Sequence, residues 1–240
     1  MSRIQIGTRT KMEQSAAQSV AESLRSAVEQ RGRATLALPG GRSVAGVLQA
    51  LTGIAVPWPQ IVVMPADERM LPDGEPDLNW NIVAEHLIDP LIERGDLPPQ
   101  NAQPFRFRPE LPDLGLSSFV EQLQLPTDGR GVALVDVVVL GAGEDGHVAS
   151  LFPGRKELHS DSSSFLFIDD SPKPPPLRIT LSPAMVRACQ SAVLLFFGAG
   201  KSDALQRFTD PAITFTDCPA KIALAARRCS GFADTEAARS

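Results

Sequence analysis

One glycine-rich segment, residues 140–154, carries the residue types best suited to chemistry. It follows the apolar run 135–139, whose β-branched residues predict a buried parallel strand. Three glycines, among them Gly143, allow a sharp turn and leave room for a ligand. Asp145 and His147 leave this turn two residues apart. A histidine oriented by a carboxylate at a strand end is a candidate general base, so we predict that His147 is catalytic and that Asp145 holds it.

A second glycine turn lies between a predicted strand and a predicted helix. It contains Gly40, Gly41, Arg42 and Ser43. Backbone N–H groups, a hydroxyl and the start of a helix together favour a phosphate group. The turn lacks the Gly-Lys-Ser/Thr ending of a P-loop and the glycine spacing of a dinucleotide-binding fingerprint. We therefore predict a phosphate contact of a different kind at this turn.

Charged residues follow the next predicted strand. Arg69 is placed to stabilise developing negative charge, and Asp67 to orient a substrate hydroxyl. Asn79 begins the helix that follows, where capping is its ordinary structural role. We include all three among the candidate site residues, with Arg69 as the catalytic one.

Two basic residues complete the candidate site. Arg178 stands alone in an apolar strand, where an unpaired charge is costly to bury. It therefore meets either a carboxylate or an anionic ligand, and the sequence leaves both open. Lys201 follows a later strand, in a Gly-Lys-Ser turn. An arginine fork and a lysine point charge both suit a phosphate.

Other reactive side chains have ordinary explanations. His86 falls inside a predicted helix and His159 in a polar loop, so both are interpreted as structural or solvated. Without a His/Cys/Asp cluster we predict no metal site, and we predict no cofactor. Ser150 lies three residues after His147, but the nucleophile-elbow sequence is absent, so we do not expect covalent catalysis.

These residues are spread over alternating predicted strands and helices. Helices are predicted over 12–31, 43–51, 79–92 and 117–125 and after Lys201, and strands over 34–38, 61–64, 135–139, 165–168, 177–181 and 192–197. Such alternation predicts an α/β fold: a single domain, 1–240, with a doubly wound, mostly parallel, Rossmann-like sheet and helices on both faces. The carboxyl ends of its strands would bring the candidate residues together.

Composition argues against a nucleic-acid-binding protein and against a membrane-spanning one. The net charge of −5 and the lack of basic runs argue against nucleic-acid binding. No apolar run approaches the length of a membrane span, and no signal peptide is apparent. The three cysteines have no metal or redox spacing, as is typical of a reducing compartment. We expect a cytoplasmic protein, a monomer or homodimer, whose partner is a small molecule.

The ordered set of motifs resembles the 6-phosphogluconolactonase family, within the wider group that includes glucosamine-6-phosphate deaminase. The resemblance rests chiefly on residues 141–153, with 67–69, 77–79, 178–181 and 198–201 in the family's order. It implies hydrolysis of 6-phospho-D-glucono-1,5-lactone to 6-phosphogluconate in the oxidative pentose phosphate pathway. It also implies that His147 activates water, that Asp145 holds the imidazole and that Arg69 supports the oxyanion. The implied phosphate ligands are Gly40, Gly41, Ser43, Arg178 and Lys201.

Two other functions fit the same scaffold. A sugar-phosphate deaminase or isomerase would use a carboxylate–histidine pair for proton transfer beside a carbonyl, and release of ammonia from glucosamine 6-phosphate would identify it. A noncatalytic sugar-phosphate sensor would bind the ligand without turnover. Sensors usually carry a further domain, for which 240 residues leave little room, and the pairing of His147 with Arg69 favours an enzyme.

Overall fold

The computed structural model describes residues 4–239. Its nine strands are β1 (Ile4–Gly7), β2 (Ala34–Leu38), β3 (Ile61–Pro65), β4 (Asp67–Arg69), β5 (Val137–Gly141), β6 (Leu166–Ile168), β7 (Arg178–Thr180), β8 (Ser191–Phe196) and β9 (Cys229–Asp234). Six of them form a fully parallel sheet in the order β1-β9-β8-β5-β2-β3. The predicted α/β architecture with a doubly wound parallel sheet is confirmed.

The other three strands form a small antiparallel sheet in the order β4-β7-β6. The strands predicted over 165–168 and 177–181 are present as β6 and β7. The expectation that they belong to the parallel sheet was wrong, and Asp67–Arg69, expected to follow a strand end, forms the third strand of the antiparallel sheet. Each of the three strands is only three residues long, which is too short for alternation to reveal a partner or a direction. Arg178 therefore approaches the site from this second sheet, across from Arg69.

Seven helices accompany the strands in the described part of the chain. They are α1 (Arg9–Arg31), α2 (Ala45–Thr52), α3 (Asn79–Val83), α4 (Asp89–Glu93), α5 (Leu116–Leu123), α6 (Pro183–Ala188) and α7 (Ser202–Thr209). A π-helical turn, Ala84–Ile88, joins α3 to α4 within the single helix that the sequence predicts over 79–92. Pro90 has no N–H to donate and its ring crowds the preceding turn, which accounts for the widened turn before it.

The alternation of side chains along the sheet divides the core into two layers. Leu36 and Leu38 of β2 are buried against α1 and α2 on one face. Ala37 points to the other face, where α5, α6 and α7 contribute to the second core. Since both faces are covered, the central strands are nearly continuous runs of buried apolar residues.

The two strands that the sequence analysis missed, β1 and β9, lie at one side of the sheet. Their sequences contain polar residues and glycine rather than a β-branched run. Gly231 is needed where they meet, because a Cβ there would lie 2.2 Å from Ile4 Cδ1. No helix within residues 4–239 is both long and apolar enough to cross a membrane.

Truncation of the sheet core should destabilise the fold strongly. Leu36 is fully buried in β2, so Leu36→Ala should lower the free energy of unfolding by about 2–5 kcal/mol. Leu224 is 44% exposed, and Leu224→Ala should change it by no more than about 0.5 kcal/mol. Urea unfolding of both variants tests this difference, and equal losses would contradict the assignment of Leu36 to the core.

Candidate active site

The candidate site is a cleft of about 310 Å³ at the carboxyl ends of β2 and β5. These strands are neighbours, but the chain continues from β2 to β3 on one side and from β5 to β8 on the other. A crevice at such a reversal of strand order is the usual ligand site of an open α/β sheet. Ten predicted site residues line it: Gly40, Gly41, Ser43, Asp67, Arg69, Asn79, Gly143, His147, Arg178 and Lys201.

Asp145 and His147 form a direct pair beside this cleft. His147 Nδ1 lies 2.5 Å from Asp145 Oδ1, and the same oxygen accepts the His147 backbone N–H at 3.2 Å. Partial burial opposes ionisation of Asp145. The hydrogen bond and electrostatic attraction from His147 outweigh that effect and hold the pKa of Asp145 well below its usual range. Phe152 contacts the imidazole ring, with the ring centroids 4.5 Å apart. Nε2 is therefore the ring nitrogen left for chemistry.

A tight turn fixes the distance between these two side chains. The Gly143 N–H donates to the His147 carbonyl at 2.8 Å, and the Gly146 N–H donates to the Gly143 carbonyl at 3.0 Å. A Cβ on residue 143 would lie 2.0 Å from two atoms of the imidazole ring. Glycine is thus required at 143 because the histidine ring lies against the backbone. Because its N–H is already bonded, Gly143 shapes the site rather than donating to a ligand.

The glycine turn after β2 presents unused donors to the cleft. The backbone N–H groups of Gly40, Gly41 and Ser43 donate to no acceptor among residues 4–239. Adjacent unpaired N–H groups of this kind attract anions. Asn79 lies so close that a Cβ on Gly40 would be 2.1 Å from its Oδ1. The Asn79 amide is itself held by the Asp67 carbonyl, to which Nδ2 donates at 3.0 Å.

Glu68 was missed by the sequence analysis and joins three parts of the site. This carboxylate is 1% exposed and accepts backbone N–H bonds of 2.7 Å from Arg69, Asn79 and Trp80. Burial raises the pKa of Glu68 to about 7, against the lowering effect of the three donors. Glu68 therefore caps the start of α3, where we had expected Asn79 to do so. A charged triplet gives no sign of which member turns inward, so sequence alone carried no signal for this role.

Asp67 is buried beneath the cleft and bonded to two other side chains. Its Oδ2 accepts the Ser150 hydroxyl at 2.8 Å and lies 4.0 Å from Arg178 Nη1. The Ser150 N–H donates to Thr180 Oγ1 at 3.2 Å. Ser150 thus ties the loop after β5 to β7, and its hydroxyl proton is directed at Asp67 rather than at His147.

Arg69 has one donor that the described part of the chain leaves unused. Its guanidinium donates to the Asp77 carbonyl through Nη1. Its Nε is buried and has no hydrogen-bond partner among residues 4–239. A buried unpaired donor is costly, so this nitrogen stores unused hydrogen-bonding capacity. Arg69 also lines the cleft, where its positive charge would attract an anionic ligand.

Lysines supply further positive charge around the cleft. Lys201 is half-buried; burial lowers the pKa of its ammonium although the charge of Glu144 raises it. Lys173, which the sequence analysis did not consider, also lines the cleft. Arg42 is exposed and lies outside the cleft, in an adjoining groove beside Arg9 and Lys201. The structure therefore brings Lys173 to the predicted site and leaves Arg42 at its edge.

The other two histidines lie away from this cleft. His86 is in the π-helical turn, 3.9 Å from Glu85, and His159 stacks on Phe215 with centroids 5.7 Å apart. Within residues 4–239 no group of three or more His, Cys, Asp and Glu side chains is arranged to hold a metal ion.

Comparison with known proteins relates the chain to one family. The family model described as glucosamine-6-phosphate isomerases/6-phosphogluconolactonase matches residues 7–230. A 6-phosphogluconolactonase of Streptomyces coelicolor is 33% identical over 182 residues, covering 73% of this chain and 70% of the relative. A 6-phosphogluconolactonase of Rattus norvegicus is 32% identical over 203 residues, covering 82% and 77%.

Solved structures share the whole fold. A 6-phosphogluconolactonase from Shewanella baltica superposes with a TM-score of 0.80 at 26% identity, covering 98% of both chains. A monomeric glucosamine-6-phosphate deaminase superposes with a TM-score of 0.78 at 18% identity, covering 99% of both. The fold alone therefore does not separate the two activities. The relatives found by sequence, which are named 6-phosphogluconolactonase, favour the lactonase.

Filling the space beside the histidine should strain the site. Gly143→Ala should lower the free energy of unfolding by about 1–3 kcal/mol, because the new methyl group must displace the His147 ring. Gly129→Ala is the matched control, since a Cβ there meets nothing within 4 Å. Denaturant unfolding compares the two, and equal stability would show that the imidazole does not lie against Gly143.

The buried carboxyl group should give the protein a distinctive pH dependence. Folding raises the pKa of Glu68 from 4.5 to about 7, so the folded state keeps a proton that the unfolded state loses. Stability should therefore fall as pH rises from 4.5 to 7, by up to about 3 kcal/mol. Glu68→Gln should remove this part of the dependence of the free energy of unfolding on pH.

The control for this measurement is Glu121→Gln, which removes a charge from an exposed position of α5. In urea unfolding between pH 4.5 and 8, the free energy of unfolding of that variant should depend on pH as it does in wild type. A Glu68→Gln profile parallel to wild type would mean that folding does not raise the pKa of Glu68.

Proposed function

The chain belongs to the glucosamine-6-phosphate isomerase/6-phosphogluconolactonase family, and from this premise we propose that it hydrolyses 6-phospho-D-glucono-1,5-lactone to 6-phosphogluconate. The observation that carries the proposal is the Asp145–His147 pair beside a cleft with unpaired backbone donors and two lysines. Its curated relatives from bacteria and mammals bear the name 6-phosphogluconolactonase. This reaction is the lactone-hydrolysing step of the oxidative pentose phosphate pathway.

His147 acts as the general base. With Nδ1 bonded to Asp145, the neutral ring carries its proton on Nδ1 and has a lone pair on Nε2. Nε2 removes a proton from water as the water oxygen bonds to the lactone carbonyl carbon. The imidazolium that forms is stabilised by Asp145, a carboxylate whose pKa is held low.

Arg69 stabilises the tetrahedral intermediate. The carbonyl oxygen becomes an oxyanion at this stage, and the guanidinium of Arg69, which lines the cleft, supplies the positive charge suited to it. The bond from the carbonyl carbon to the ring oxygen then breaks. The imidazolium returns its proton to that ring oxygen, which becomes the C5 hydroxyl. That transfer regenerates the neutral base, and the new carboxylic acid loses its own proton to solvent.

The phosphate end binds away from the histidine. The unpaired N–H groups of Gly40 and Gly41, the Ser43 hydroxyl and the Lys201 ammonium form one side of the cleft, with Arg178 adding charge. Binding energy from a remote phosphate positions the reacting carbonyl without entering the chemistry. Asp67 and Asn79 line the floor beside the sugar hydroxyls.

We further propose a cytoplasmic monomer or homodimer that binds neither nucleic acid nor membrane. The overall charge of −5 supports the first exclusion. Cys189 and Cys218 are buried thiols, and burial raises the pKa of Cys189 to about 12, so these groups remain protonated in a reducing compartment.

Removal of the base should abolish most of the activity. Lactone is generated in situ from glucose 6-phosphate, and proton release is followed against a no-enzyme control. Wild type should accelerate ring opening, and His147→Ala should lower kcat by about 10²–10⁴-fold while product affinity stays within about two-fold. His86→Ala is the matched control and should retain wild-type kcat.

Two outcomes would reject parts of this proposal. If wild type does not exceed the uncatalysed rate but releases ammonia from glucosamine 6-phosphate, the protein is a deaminase. If His147→Ala loses product binding but keeps kcat, His147 is a ligand contact and not the base.

A further inference from the structure

Most of the N–H donors of Arg178 are hydrogen-bonded to other groups of the protein. Of the five N–H groups of a guanidinium, four donate to protein oxygens. Nε donates to the Pro175 carbonyl at 3.0 Å, and Nη2 to the carbonyls of Lys173 and Pro174 at 2.9 and 3.2 Å. Nη1 donates to Ser150 Oγ at 3.4 Å. A bidentate contact with phosphate would therefore require Arg178 to release backbone carbonyls.

The three carbonyls that Arg178 holds belong to consecutive residues of one loop. Ser171 fixes the same loop from its other end, because its hydroxyl donates to the Lys173 carbonyl at 3.0 Å and its N–H donates to the Pro176 carbonyl at 3.1 Å. The Lys173 N–H in turn donates to Ser171 Oγ at 3.3 Å. Both backbone groups of Lys173 are thus engaged, so its backbone is fixed at the rim of the cleft.

The side chain of Lys173 has no such engagement. It lines the cleft, and among residues 4–239 its ammonium forms no ion pair or hydrogen bond. Its charge acts on the pKa of both Lys201 and Asp145, so the ammonium lies within electrostatic range of the phosphate side and of the catalytic pair. Two ammonium groups facing one cleft repel each other, and a dianion between them removes that repulsion.

We propose that Lys173 is a phosphate ligand of the active site and that Arg178 acts on the substrate chiefly by holding the Lys173 loop in place. This inference rests on the proposed function and adds a binding residue to it. In the unreacted lactone the phosphate is the only charged group, so it is the natural partner of an unpaired ammonium. Lys173 and Lys201 then both contact the phosphate, while the glycine turn donates its backbone N–H groups.

The test begins with Lys173→Gln, which removes the charge and leaves a polar, slightly shorter side chain. Since the phosphate contact is equally strong in the bound substrate and in the transition state, KM should rise about ten-fold and kcat should stay within about two-fold. Lys11→Gln removes the same charge from an exposed position of α1 and should change neither constant. An unchanged KM in Lys173→Gln overturns the inference.

A double-mutant cycle tests the role of Arg178. Arg178→Lys keeps the charge but replaces a planar fork of three nitrogens by a single one, which cannot keep all four hydrogen bonds, so KM should rise. If Arg178 acts through Lys173, adding Lys173→Gln to Arg178→Lys should raise KM by less than two-fold more. If KM of the double variant rises by the product of the two single effects, Arg178 contacts the phosphate independently, and the positioning role is overturned.

Failure of the proposed function is distinguishable from failure of this inference. Calorimetric titration with glucosamine 6-phosphate and with 6-phosphogluconate measures phosphosugar binding whether or not the lactone is hydrolysed. Weaker binding of either ligand by Lys173→Gln supports the inference even if wild type proves not to be a lactonase. Unchanged affinity for both ligands overturns it even if wild type is one.

Discussion

The parallel pairing of β2 with β5 is the constraint on which the rest of the site depends. Leu36 and Val137 lie in register, so the two strands reach the same edge of the sheet and each ends in a glycine turn. The chain then leaves in opposite directions, which opens a crevice between the two strand ends. One turn supplies unpaired backbone donors and the other supplies His147. The proposed general base and the proposed anion site thus face one cleft because two strands are neighbours.

Three carboxylates at this cleft are hydrogen-bonded within the protein, whereas its lysines are unpaired in the part of the chain that the structure describes. Glu68, which is buried, accepts three backbone N–H groups; Asp67, also buried, accepts a serine hydroxyl; and Asp145 is bonded to the His147 imidazole. Among residues 4–239 neither Lys173 nor Lys201 has a carboxylate within ion-pair distance. A protein of net charge −5 therefore presents a locally positive cleft, which suits a phosphorylated substrate.

The sequence was most informative where function depends on local chemistry. The strand before the glycine-rich segment, the turn itself and the spacing of Asp145 from His147 are all encoded within about fifteen residues, and the structure brings them together as expected. The family relationship, the α/β fold and the lactonase function were also accessible, because several such motifs occur in one order.

What the sequence could not reveal depends on contacts between distant segments. Glu68 and Arg69 are adjacent in a charged triplet, yet one is buried under α3 and the other faces the cleft. Lys173 lies in a proline-rich loop with no periodicity, and only the folded chain shows that this loop reaches the cleft lined by His147 and Lys201. The antiparallel strands β4, β6 and β7 are too short for alternation to report their partners. In each case the deciding partner is far away along the chain.

The proposed mechanism requires Asp145 to hold His147 with its proton on Nδ1 and a free lone pair on Nε2. Nitrogen-15 NMR of the imidazole at a pH where the ring is neutral tests this directly, and with only three histidines the signals can be assigned from variants. We predict a protonated Nδ1 and an unprotonated Nε2 in wild type, with the preference lost in Asp145→Asn. A proton on Nε2 in wild type would contradict the account, because that nitrogen could not then accept the proton of water.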